Sequence, residues 1–143
     1  MKTSLPKESE IQRSWYVVDA ANKPLGRLAV KIANLLRGRN KAIFTPSIDT
    51  GDFVIVLNAK SVKLTGDKEE KKVYQRYTGY RSGHKTTTVA TMRERHPDRI
   101  ITKAVEGMLP GNHLNKKVIK RLKVFAGTEH THAAQNPKVI ELK

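Results

Sequence analysis

Two short clusters hold residue types from which an active site could be built. Asp49-Thr50-Gly51, followed by Asp52, has the order found in aspartic proteases, where two chains would bring two carboxylates together to share one proton. Glu129-His130-Thr131-His132 offers imidazole and carboxylate, both suited to zinc. Neither cluster has the company its chemistry needs. The aspartate triplet follows Pro46-Ser47-Ile48 and precedes an apolar run, so Asp49 is expected to order a loop by accepting from nearby backbone N–H groups. A zinc site draws on three or four protein ligands, and no further pair is spaced to complete one around His130 and His132. The chain has no cysteine, which removes thiolate metal sites and cysteine nucleophiles and fits a reducing compartment. It also lacks a Walker loop, G-x-G-x-x-G, G-x-S-x-G and H-E-x-x-H. The expectation is a protein that is not an enzyme and holds no metal or cofactor. The rival is a metal-dependent nuclease built on Asp49, Asp52 and the C-terminal histidines, which a chelator would stop.

The chemistry of binding is better represented. Among 143 residues, 28 Lys+Arg face 13 Asp+Glu, a formal charge of +15 that calls for a polyanionic partner. Its distribution narrows the choice. No acid occurs between Glu70 and Glu94, where Lys71, Lys72, Arg76, Arg81, Lys85 and Arg93, with His84 among them, interleave with Tyr74, Tyr77 and Tyr80. Cations that track phosphates, alternating with aromatic faces on which unpaired bases stack, suit single-stranded or looped RNA. A second acid-free stretch runs from Glu106 to Glu129. On a helical projection Leu114, Val118, Ile119 and Leu122 share an arc of roughly 140°, while Lys116, Lys117, Lys120, Arg121 and Lys123 fill the other side. That cationic ridge is expected to meet phosphates. Arg37, Arg39 and Lys41 form a third group, although a helix C-terminus favours cations on its own account.

These side chains need elements to position them. Trp15 to Asp19 reads as a strand, and Leu25, Leu28, Ala29, Ile32, Ala33 and Leu36 recur at helical spacing until Gly38. Pro24 suits the first turn of that helix. Phe53 to Leu57 is a continuous apolar run, expected for a strand buried on both faces, which completes a right-handed βαβ unit. A short alternating strand is expected at Val62 to Thr65. Residues 67–88 read as a polar excursion, and two helices follow with Asp98 and Asn112 as their caps. Leu122 to Ala126 is expected as the last strand, with an irregular tail over 128–143. Residues 1–13 form an extension, and residues 14–143 one α/β domain: a three-layer α/β/α sandwich around a small, mostly parallel four-stranded sheet. The N-terminus carries no apolar stretch of secretory type, and the longest strongly apolar run, Phe53 to Leu57, falls far short of the roughly 20 residues of a membrane-spanning helix. No membrane partner and no homo-oligomer are expected.

Several of these segments carry a family pattern in order and spacing. Trp15 to Ala20, Leu25-Gly26-Arg27-Leu28-Ala29, Thr45-Pro46, Asp49-Thr50-Gly51-Asp52, Tyr77-Thr78-Gly79-Tyr80, Gly107-Met108-Leu109-Pro110, Leu122 to Gly127 and Glu129 to Gln135 resemble the bacterial large-subunit ribosomal protein L13 family. The resemblance runs from about Trp15 to the C-terminus. It implies the α/β/α sandwich, a cytoplasmic place in the large ribosomal subunit, 23S ribosomal RNA and other large-subunit proteins as partners, and a role in early subunit assembly. By position it puts RNA contacts on Tyr74 to Lys85, on Gly107-Met108-Leu109-Pro110 with its basic helix, and around His130. Two departures stand out. Ser82-Gly83-His84 replaces the family's usual paired glycines, and Leu114-Asn115-Lys116 its usual Leu-Gly-Arg. Asn is expected to tolerate a left-handed backbone and Lys to keep the charge, without the two-pronged phosphate contact of an arginine. A free regulatory RNA binder would differ from a subunit constituent by its absence from purified ribosomes. Reversing Lys120 and Arg121 to Glu is expected to weaken RNA binding, read as affinity for a ribosomal RNA fragment, and to leave circular dichroism native.

Overall fold

In a computed structural model, which describes residues 5–141, the β-branched and apolar runs form the centre of a parallel sheet. The first four residues of the expected extension and the last two of the expected tail lie outside the described residues. Strand β1 (Trp15–Asp19) leads into α1 (Leu25–Arg37), and β2 (Phe53–Leu57) returns beside β1 in parallel, with Trp15 opposite Phe53 and Asp19 opposite Leu57. All six apolar positions expected to face inward on α1 are buried. Pro24 stands one place earlier than expected, as the residue before the helix. Gly38, at φ +71°, closes the helix by donating back to Asn34 and Leu35 carbonyls.

Beyond β2 the chain departs from the expected order. Val62 and Leu64 are buried and alternate with exposed Lys63, but the segment makes only an isolated bridge from Lys63 to Pro24 and no strand. The polar excursion is structured: α2 (Lys68–Lys71), then an antiparallel hairpin of β3 (Val73–Tyr77) and β4 (His84–Thr88). Helices α3 (Val89–Arg95), α4 (Pro97–Met108) and α5 (His113–Val118) follow. Asp98 is not a cap, because Pro97 already occupies the first position of α4 and Asp98 lies within the first turn. Asn112 does cap α5, accepting from the Asn115 N–H at 2.9 Å.

Strand β5 (Leu122–Val124) pairs with β2, and β6 (Lys138–Val139) pairs with β1, giving the order β5-β2-β1-β6 with every pairing parallel. The fourth strand of the sheet therefore comes from the tail expected to be irregular. Val18, Val54, Val56 and Leu122 turn to one face and pack with α1, α3 and α4 in a single core. Trp15 and Phe53 turn to the other and stack at 4.3 Å between ring centroids. The C-terminal segment, with a helical turn at Ala133–Gln135, supplies the third layer: His132 lies 5.2 Å from the Trp15 ring and 5.9 Å from Phe125.

The connection from α1 to β2 folds back against the end of the helix. Asp52 N–H donates to Leu35 O at 3.2 Å, and a Cβ on Gly51 would stand 1.7 Å from the Leu36 carbonyl oxygen. That oxygen is backbone and cannot swing away, so Gly51→Ala must displace either the helix end or the entry to β2. A loss of about 1–3 kcal/mol or more is expected in urea unfolding. At the far end of β1, Asp19 accepts from Ala21 N–H at 2.9 Å and from Asn58 Nδ2 at 2.8 Å, and these bonds hold its carboxyl below the usual carboxylate range. The lowered folded pKa means that its contribution is complete above the unfolded pKa, near 4, and is lost as pH falls through the folded value. Thermal melts of Asp19→Asn should therefore lose part of the wild type's acid-side slope.

Candidate nucleic-acid interface

Hydrogen-bond register decides which hairpin side chains meet. Tyr74 faces Thr87, Arg76 faces Lys85, and Tyr77 faces His84. Arg76 and Lys85 are thus like charges directly opposite each other, an arrangement that costs a hairpin stability. Both are exposed. The turn between the strands is fixed by Thr78 N–H to Gly83 O at 3.0 Å and Gly83 N–H to Tyr80 O at 2.9 Å. It needs left-handed backbone at Gly79 (φ +90°) and at Ser82 (φ +60°), one of the positions where this chain departs from the family's glycines. The turn carries Tyr80 outward, 79 % exposed, beside exposed Arg81, while Tyr77 is 66 % exposed.

Tyr74 behaves differently from the other two tyrosines. It packs against the core with Lys72 Nζ 5.3 Å above its ring, and burial raises its phenol pKa while the neighbouring Arg93 opposes that rise. Tyr74 is therefore a root of the hairpin, and the ring faces open to an external partner belong to Tyr77 and Tyr80. Arg93 braces the same root by donating to Lys60 O, Val62 O and Glu69 Oε1 at 3.3, 3.1 and 2.7 Å. Sequence reading gave Arg93 only a charge in an acid-poor stretch. Its role depends on α3 meeting the carbonyls of residues 60 and 62, which no local pattern announces.

The basic ridge is shorter than the helical projection implies. Helix α5 ends at Val118, a tight turn spans Ile119–Arg121, and β5 begins at Leu122. Lys116, Lys117 and Lys120 remain exposed, but Arg121 turns inward and forms a two-pronged pair with Asp49, Nη1 to Oδ1 at 2.8 Å and Nη2 to Oδ2. It also donates to Gly51 O at 3.1 Å and lies over the Phe53 ring. Lys123, in β5, is half-buried. Asn115 lies inside α5 and is buried, so the left-handed backbone expected there is absent.

In the third group Arg39 is exposed, Arg37 lies over the Phe44 ring at 5.5 Å, and Lys41 is drawn into the protein. Lys41 Nζ contacts the fully buried Asp52 at 2.6 Å and donates to Thr50 O and Gln12 O. Within the expected N-terminal extension, Gln12 is thus tied to the body and Ile11 is buried. Asp49 also orders its own loop as expected, accepting from Gly51 N–H at 3.2 Å. Asp49 and Asp52 are each held by a cation, and the second carboxylate oxygen of Asp52, which has no hydrogen-bond partner, is shielded from solvent. His130 and His132 are half-buried beside Phe125 and Trp15, with His132 N–H donating to His130 Nδ1 at 3.2 Å. Among the described residues no group of three His, Asp or Glu is placed to hold a metal ion, and no helix is long and apolar enough to cross a membrane.

Of the cations singled out from the sequence, those left exposed and without a carboxylate partner lie on the hairpin (Arg76, Arg81, Lys85), on α5 and its following turn (Lys116, Lys117, Lys120) and at Arg39. Residues 13–131 match the family model for ribosomal protein L13. The chain is 56 % identical to the large ribosomal subunit protein uL13 of Maridesulfovibrio salexigens over 99 % of both chains. It is 51 % identical to that of Finegoldia magna over the whole of both, and 54 % identical to that of Dictyoglomus thermophilum over 99 % of this chain and all of the relative. These names describe a ribosomal subunit protein and not an enzyme.

The Asp49–Arg121 pair alters what a charge reversal would report. Lys120→Glu should leave the unfolding free energy within about 0.5 kcal/mol of wild type, as exposed substitutions do. Arg121→Glu would set two carboxylates against each other in a part-buried site, and a loss of about 3 kcal/mol or more is expected in chemical denaturation. Reversing both residues would therefore confound binding with folding, contrary to the expectation from the helical projection.

Proposed function

Because this chain belongs to the ribosomal protein L13 family, we propose that it is a structural, RNA-binding constituent of the large ribosomal subunit. In this reading it contacts 23S ribosomal RNA and neighbouring subunit proteins in the cytoplasm and supports early subunit assembly. The observation that carries the reading is the pairing of Arg76 with Lys85 across the hairpin. A hairpin selected only for its own stability would put an acid at one of these positions, yet none occurs between Glu70 and Glu94. Phosphates brought to both side chains convert the repulsion into attraction.

The mechanism is binding. Lys and Arg of the hairpin and of α5 neutralise phosphates where RNA segments converge, which lowers the repulsion opposing their packing and releases counterions. Tyr77 and Tyr80 offer exposed rings to unpaired bases. The root of the hairpin, held by Tyr74 and Arg93, keeps those groups at a set distance from the basic turn after α5.

Two measurements test this. In sucrose gradients of cell extract at moderate salt the protein should migrate with the large subunit, and recovery of all of it in the soluble top fractions would refute the subunit assignment. With a 23S fragment, Arg76→Ala and Lys85→Ala should each reduce the slope of log K against log salt by about one. Tyr77→Ala and Tyr80→Ala should weaken binding by about 1–3 kcal/mol for each ring that stacks, with little change in the salt slope.

A further inference from the structure

Two lysines outside the three basic groups described above, Lys63 and Lys68, line one surface depression together with Lys72. Its apolar part is formed by Leu25 of α1 and by Ala104 and Met108 of α4, and no acid borders it. The wall that α1 supplies belongs to another acid-free stretch, from Asp19 to Asp49, and the segment carrying Lys63 has no acid between Asp52 and Asp67. Of the three acids nearest Lys68 in the chain, Asp67 holds Lys71 at 2.7 Å, Glu69 holds Arg93 at 2.7 Å, and Glu70 lies outside the lining. Lys63 and Lys68 are both exposed and have no carboxylate partner among the described residues; Lys68 Nζ lies 3.5 Å from the Thr65 hydroxyl. The backbone under Lys63 is fixed on both sides. Its N–H donates to Lys23 O at 3.0 Å, its carbonyl accepts from Leu25 N–H at 2.9 Å, and its neighbours Val62 and Leu64 are buried, which turns the lysine outward.

Like charges gathered around one acid-free depression repel one another, and the fold supplies no carboxylate there to offset that cost. We propose that Lys63 and Lys68 form a second phosphate-binding site, for the backbone of the RNA strand that also meets the hairpin. Lys72 joins the two surfaces: it lines the depression, and its Nζ lies 5.3 Å from the Tyr74 ring at the root of the hairpin. Successive phosphates meet Lys63 and Lys68, a ribose rests on Leu25 and Met108, and the strand runs on past Lys72 toward Arg76 and Lys85. Such contacts go to the backbone, so they fix the path of the strand without selecting a base. An acidic segment of a neighbouring protein would also bring carboxylates. RNA is favoured because the depression is continuous through Lys72 with the hairpin, and because a strand presents a charge at every nucleotide to lysines that stand in a row. The inference rests on the RNA-binding reading and extends that surface beyond the hairpin.

The test uses the full chain and the 23S fragment that the wild-type protein binds most tightly. Lys63→Gln and Lys68→Gln, both at exposed positions, should keep native circular dichroism and each reduce the slope of log K against log salt by about one, while Lys138→Gln in β6 leaves it unchanged. Acetylation by an N-hydroxysuccinimide ester, read by mass spectrometry, should show Lys63 and Lys68 losing reactivity when the fragment binds and Lys138 keeping it. Slopes and reactivities at Lys63 and Lys68 that match those at Lys138 overturn the second site, and a slope still reduced by Arg76→Ala and Lys85→Ala then leaves the RNA reading standing. Protection of Lys63 and Lys68 in intact large subunits, but not by the RNA fragment, would assign the depression to an acidic protein segment and overturn the phosphate site as well. Failure of the wild-type chain to bind any 23S fragment overturns the RNA reading, and the second site with it.

Discussion

The placement of Asp52 constrains most of this structure. It is a fully buried carboxylate at the mouth of β2, and it is tolerable there because Lys41 Nζ lies 2.6 Å away and Ser14 N–H donates to the same oxygen at 2.9 Å. A buried charge without such a partner would cost several kcal/mol. The same ammonium holds Thr50 O and Gln12 O, so one cation ties together the segment entering β1, the loop leaving α1 and the start of β2. Arg121 repeats the device on the β5 side through Asp49 and Gly51 O. These two clamps leave the α1–β2 loop little freedom. Gly51, with no room for a Cβ against Leu36 O, is the backbone condition for that packing.

Clamping also sorts the charges. Asp49 and Asp52, the acids nearest the centre of the fold, are each consumed by one cation, and Glu69 is taken by Arg93 at the root of the hairpin. What remains facing outward over the hairpin and α5 is almost all positive. The +15 is thus in part a partition: Lys41, Arg93 and Arg121 are spent on pairs that fix the scaffold, while the cations of the hairpin and of α5 have no carboxylate on their own elements.

Periodicity carried the reading of the sequence as far as it held. The stripe from Leu25 to Leu36 and the run from Phe53 to Leu57 are buried as expected because each pattern is long enough to specify one face or one buried strand. Shorter segments are undecided by pattern. Val62-Lys63-Leu64 alternates like a strand and buries its apolar residues, yet finds no strand partner, whereas Lys138–Val139, exposed and only two residues long, does. Membership of a sheet is decided by which backbone lies alongside, a property of the assembled chain. Arg121 illustrates a second limit. A projection at 100° per residue puts it on the cationic ridge only if the helix continues, and the tight turn at residues 119–121 swings it toward Asp49, 72 positions away.

The tyrosines show how much a site depends on such long-range choices. Tyr74, Tyr77 and Tyr80 share one chemistry and one spacing, and as residue types they are equivalent candidates for stacking. Register separates them. Tyr74 shares a strand face with Arg76, but at the root of the hairpin that face is against the core, so its ring becomes packing and its phenol loses access to water. Farther along the hairpin nothing covers Tyr77 and Tyr80. An arm of this kind combines a rigid base with a tip that has few contacts of its own. Such a tip loses little when RNA replaces water around it, and it owes its position to the base, where Arg93 is fixed by two backbone carbonyls and Glu69. On the proposed RNA-binding reading, affinity at the tip and stability at the root are therefore separable, because the exposed rings of Tyr77 and Tyr80 add little to the packing that Tyr74 and Arg93 supply.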